Sequence, residues 1–131
     1  MTDPLISIWL RDHQRPYAPG DELHCEYQID AVDPAEFQAV EASVLWCTEG
    51  KGDEDIAVHY FERCTPSDFE GHDVRSMRRF VSVLPNSPMS YDGRIVKIRW
   101  LVRVRLFLRK GRQFTDDHPF VLGPLCPRSD A

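Results

Sequence analysis

The stretch Val96-Lys97-Ile98-Arg99-Trp100-Leu101-Val102-Arg103-Val104-Arg105-Leu106 decides the fold. Val96, Ile98, Trp100, Val102, Val104 and Leu106 are apolar and lie two residues apart. Lys97, Arg99, Arg103 and Arg105 fill the positions between, with Leu101 as the exception. A period of two is that of a β-strand with one buried and one wet face. Eleven residues at roughly 3.3 Å each span about 35 Å, which is long for a strand.

Working outward, the same alternation returns on both sides. Pro4–Leu10 sets Ile6, Ile8 and Leu10 on one face. Arg15-Pro16-Tyr17-Ala18-Pro19-Gly20-Asp21 has turn chemistry, and Leu23, Cys25, Tyr27 and Ile29 then alternate with polar residues. Asp33-Pro34-Ala35-Glu36 carries a helix-start pattern, with Asp33 as cap and Pro34 in first position, but has room for only a turn or two. Strand periodicity resumes at Val40, Ala42, Val44 and Trp46. After the charged loop Glu49–Asp55, Ile56–Phe61 is β-rich, with Val58 and Tyr60 expected opposite His59 and Phe61. Met77–Leu84 is another strand, and Tyr91-Asp92-Gly93 is a turn into the long one. Arg109-Lys110-Gly111-Arg112 suits a hairpin turn before Gln113–Leu122. About seven strands with at most one short helix predict an all-β, immunoglobulin-like sandwich. A barrel satisfies the same periodicity. One domain over residues 1–131 is expected, with 123–131 a loose tail.

Charge is unevenly placed. Arg94–Arg112 holds eight of the 16 basic residues and no acidic ones, in a chain whose net charge is −5. An acidic remainder speaks against nucleic-acid binding by the domain and leaves room for one local anion site. No apolar run approaches the roughly 18 residues of a membrane span. Met1-Thr2-Asp3-Pro4 lacks the basic and hydrophobic regions of a signal peptide, so a cytoplasmic location is expected. Cys25, Cys47, Cys64 and Cys126 are then expected as reduced thiols packed as small apolar groups.

Chemistry-bearing patterns are scarce. The five histidines His13, His24, His59, His72 and His118 are scattered, and Asp53-Glu54-Asp55 lacks the ordered ligand set of a calcium loop. No GxSxG is present, and Gly50-Lys51-Gly52 lacks phosphate-loop spacing. No catalytic residue, metal or cofactor is expected. Trp9, Trp46 and Trp100 read as core, while Phe61, Leu101 and Phe107 fall on faces expected to be polar.

Three segments in order resemble the arrestin family. Tyr17-Ala18-Pro19-Gly20-Asp21-Glu22-Leu23 resembles its Y-x-P-G-(D/E)-x-(V/L) turn before the second strand. Leu84-Pro85-Asn86-Ser87-Pro88-Met89-Ser90-Tyr91-Asp92-Gly93 resembles its LP…P-x-S-(F/Y)-x-G segment, and Val96–Leu106 resembles the long strand that follows. Asp117–Leu122 suits the family's last strand. The resemblance implies a single arrestin amino-terminal-type sandwich, similar to small bacterial relatives, that acts as an adaptor rather than a catalyst. The chain has length for one sandwich, so the interdomain switch of full arrestins is not expected.

The expected partner is a protein, acidic or phosphorylated, met by Lys97, Arg99, Arg103 and Arg105 or by pairing at a sheet edge. Edge pairing includes a homodimer. The competing expectation is that Glu26, Glu41 or Glu62 on neighbouring strands neutralise the basic stripe. A carbohydrate- or small-ligand-binding sandwich is the alternative function. It requires an exposed aromatic beside a concavity.

Overall fold

A computed structural model describes residues 3–12, 15–50, 54–69, 73–93 and 95–123. Eight strands are present: β1 (Leu5–Leu10), β2 (Glu22–Asp30), β3 (Phe37–Gly50), β4 (Ile56–Cys64), β5 (Arg78–Val83), β6 (Tyr91–Asp92), β7 (Val96–Leu108) and β8 (Gln113–Phe120). They form two antiparallel sheets. One has the order β1-β2-β5. The other runs β4-β3-β7, with β6 and β8 sharing the far flank of β7. Two separate sheets decide for a sandwich over a barrel.

The alternation in β7 is real. Trp100, Val102, Val104, Leu106 and Leu108 point inward and are buried, meeting Leu23, Cys25, Tyr27 and Ile29 of the opposite sheet in one core. Tyr60 of β4 stacks on Phe80 of β5 with ring centroids 4.8 Å apart, tying the layers at one side. Trp100 donates its indole N–H to the Pro88 carbonyl at 2.8 Å, which satisfies the one polar atom of the largest core residue.

The turn before β2 has the geometry its sequence suggests. Gly20 takes φ of 85°, the left-handed conformation glycine tolerates best, and Asp21 accepts the Ala18 N–H at 2.8 Å. The hairpin from β7 to β8 closes through a single 3₁₀ turn, Arg109–Gly111, with Lys110 and Gly111 left-handed.

Several expectations are corrected. Asp33 does cap, accepting the Ala35 N–H at 2.9 Å, but the chain makes a turn and enters β3 at Phe37 without a helix. Bonds from Glu36 N–H to the Asp33 carbonyl and from Phe37 N–H to the Pro34 carbonyl use up the turn. Tyr91-Asp92 is a short strand rather than a turn. Trp9 is 46% exposed, because β1 buries Ile8 and Leu10 and turns Trp9 outward beside Glu26. In β4 the alternation slips. Val44 pairs with Tyr60 and Leu45 with Val58, so His59 is an extra bulged residue. A bulge flips the phase of the strand beyond it. Val58 therefore shares the outer face with Phe61, and not the inner face with Tyr60. The expected tail past Gly123, together with His13, His72, Cys126 and Asp53 of the acidic loop, lies outside the described residues.

Candidate functional site

The basic strand lies in the middle of its sheet. β3 pairs with it from Val96 to Leu108, and β8 and β6 take most of the other side. Most of its main-chain groups are therefore committed to neighbours, and it offers chiefly its outward side chains.

Those side chains are largely paired. Lys97 Nζ lies 3.5 Å from Asp92 of β6, and Arg99 Nη1 lies 2.8 Å from Glu49 of β3. Arg103 grips Asp117 of β8 with two bonds, Nε at 2.9 Å and Nη2 at 3.2 Å. The Asp117 carboxylate raises the Arg103 pKa above its ordinary value. Arg105 faces Glu41 and Thr115 in register, but Glu41 binds Arg63 at 2.6 Å. Among the described residues Arg105 has no ion pair. The acids expected to neutralise the stripe are engaged elsewhere. Glu26 binds Arg79 at 2.8 Å, and Glu62 accepts the hydroxyls of Tyr27 at 2.6 Å and Tyr60 at 2.7 Å. Asp92, Glu49 and Asp117 take the role instead. No local pattern marks them, because strand register alone brings them opposite.

The outer face of this sheet also carries an apolar row. Val58, Leu45, Leu101 and Pro119 stand side by side across β4, β3, β7 and β8. Leu45 is only 2% exposed and Leu101 6%, although both face outward. This explains the apolar interruption at Leu101: it is half of a cross-strand pair. Phe107 lies under the Arg63 guanidinium, 5.6 Å from its ring centroid. Toward β4 the cover ends. Ile56, Val58 and Phe61 are each more than half exposed. They front a strand at the end of the sheet, and among the described residues no other strand forms a main-chain ladder with its free edge, although the bulged His59 meets the Val83 carbonyl of β5 through Nε2 at 2.7 Å. The outer face thus grades from apolar at the β4 edge to ion-paired over β7 and β8.

Among the described residues three thiols, Cys25, Cys47 and Cys64, are free. Cys25 and Cys64 are buried, and desolvation pushes Cys25 up to about 12 and raises Cys64. Cys47, beside Arg99 in register, is also raised by burial.

No family model and no curated protein matches this chain. Among solved structures 87 chains match. One is Spo0M, a sporulation control protein from Bacillus subtilis, with a TM-score of 0.61 and 12% identity. The alignment covers 95% of this chain and 51% of that one, so the chain spans about half the length of its structural neighbour. The fold is arrestin-like. At 12% identity the likeness carries the architecture alone, and function rests on the site. No helix among the described residues is long and apolar enough to cross a membrane.

Proposed function

We propose that this chain is a non-enzymatic adaptor domain that docks an extended segment of a protein partner along the free edge of β4. The observation that carries the reading is the coincidence of a nine-residue edge strand, paired on one side only among the described residues, with an exposed apolar trio, Ile56, Val58 and Phe61. A partner strand gains affinity from main-chain bonds and specificity from alternate side chains. The basic face beside it favours acidic or phosphorylated flanks, through Arg105 directly and through Lys97, Arg99 and Arg103 by exchange of their present carboxylates. A regulatory role accords with the name of the structural neighbour, a sporulation control protein. A non-catalytic role accords with the buried thiols of Cys25 and Cys64, which desolvation keeps protonated.

A displayed library of nine-residue peptides tests this. Peptides with alternating apolar residues and acidic flanks are expected to be selected, to slow amide exchange in β4, and to be lost with Val58→Lys/Phe61→Lys. Binding that leaves β4 exchange unchanged, or survives the double substitution, overturns the reading. Sedimentation equilibrium without peptide shows whether a second copy takes the edge.

A further inference from the structure

The other flank of the same sheet has a gap. β6 pairs with β7 only at Lys97 and Ile98, and β8 pairs with it only from Trp100 onward. Opposite Arg99 neither strand is present. The gap opens into a cleft of about 640 Å³, within the usual range for small-molecule sites. Its apolar surface comes mainly from the exposed side chains of Tyr91 and Val121, with the buried rings of Trp100 and Phe120, 5.9 Å apart, packed behind it. The back of the cleft is firmly held. Tyr17 N–H donates to the Val121 carbonyl at 2.8 Å, and Leu122 N–H donates to Ser90 Oγ at 2.9 Å. The Ser90 N–H returns to the Leu122 carbonyl at 2.7 Å. Such a wall exists before any ligand arrives.

The rim is cationic in an acidic chain. Arg15, Lys97 and Arg99 line it against two carboxylates, Asp92 and Glu49. Lys97–Asp92 is a long, exposed pair at 3.5 Å, of the kind that an incoming anion displaces readily. Arg15 is exposed, and its guanidinium makes no ion pair or side-chain hydrogen bond among the described residues. It stands on the ridge between this cleft and a smaller, more polar hollow that contains Arg11, Asp12 and Asp21. A largely apolar cleft with excess positive charge at its mouth fits one ligand class: a small anion with an aromatic or hydrocarbon body, its acid group at the rim and its body against Tyr91 and Val121, next to the buried Trp100.

We infer that the gap between β6 and β8 is a binding site for such amphiphilic organic anions, separate from the partner-binding edge on β4. The inference does not depend on that edge having a partner. Anilinonaphthalene sulfonate supplies the anion and N-phenyl-1-naphthylamine the neutral body. The sulfonate is expected to bind, to shift the Trp100 indole N–H resonance, and to bind about tenfold more tightly than the neutral probe, as one lost charged contact implies. Arg15→Gln with Lys97→Gln is expected to weaken the sulfonate about tenfold and leave the neutral probe unchanged. Arg105→Gln, outside the cleft, is expected to change neither. Equal affinity for both probes, or an unmoved Trp100 resonance, overturns the site. Loss of binding in Val58→Lys/Phe61→Lys alone also overturns it, because the probe then sits on the β4 edge.

Discussion

Cys47 and Cys25 show how far burial separates chemically identical groups. Cys25 sits in the core with its thiol pushed up to about 12, first by desolvation and then by Glu62 and Glu26. Cys47 lies half-buried on the outer face. Alkylation proceeds through the thiolate and needs access. Iodoacetamide at pH 8, followed by peptide mass mapping, is therefore expected to modify Cys47 at least about tenfold faster than Cys25 or Cys64. Comparable rates for all three would contradict the packing described. At this scale, part of the outcome was readable. Cys25 shares its strand phase with Leu23, Tyr27 and Ile29, so its burial follows from alternation. Trp9, read as core, is instead exposed, and the signal for that was local. It is out of phase with Ile6, Ile8 and Leu10, and phase outweighs the general preference of tryptophan for cores.

Among the elements, β7 and β8 are joined by the bidentate Arg103–Asp117 pair on a partly exposed face. Arg103→Glu sets two carboxylates opposite each other and is expected to cost roughly 1 kcal/mol. Adding Asp117→Arg restores most of that loss by reversing the pair. Arg105→Gln has no ion pair to lose and is expected to stay within about 0.5 kcal/mol. Urea unfolding midpoints measure all three. Recovery in the double variant is the decisive readout, since a nonspecific effect of residue 103 would not respond to position 117. The strand β7 was legible as a strand; the carboxylates that face it were not. Register depends on how remote strands align, and the stretches around Glu49, Asp92 and Asp117 say nothing about it locally.

The whole molecule is held by a core between the sheets and by polar ties that cross it. Tyr27 from one sheet and Tyr60 from the other both donate to Glu62. Desolvation, helped by that carboxylate, raises Tyr60 to about 12 and Tyr27 further, while burial takes Tyr17 to about 12. A phenol whose pKa is raised on folding favours the native state while it stays protonated. That contribution is complete below the unfolded value of about 10 and disappears as pH climbs through the folded value. Thermal unfolding is thus expected to show a steep fall in Tm between pH 9.5 and 12, in the region of about two pH units above the free phenol. Tyr27→Phe is expected to lower Tm at pH 7, by a loss of roughly 1–3 kcal/mol, and to flatten the alkaline fall. An alkaline slope identical to that of the parent would remove Tyr27 from this account.

Composition and alternation by themselves determined an all-β chain, the inward faces of β2 and β7, the turn at Pro19-Gly20 and the concentration of positive charge on one strand. These are local properties, since strand phase and turn conformation are set within a few residues. Tertiary structure alone decided the rest. It divided the strands between two sheets and buried the basic strand in the middle of one, with Asp92, Glu49 and Asp117 opposite its cations. It inserted His59 as a bulge and so gathered Val58 with Ile56 and Phe61 on an open edge. It also stopped β6 and β8 short of each other and left a cleft. Each of these depends on which distant segments pair and where they end. That choice is made by the packing energy of the whole core, which no short window of sequence contains.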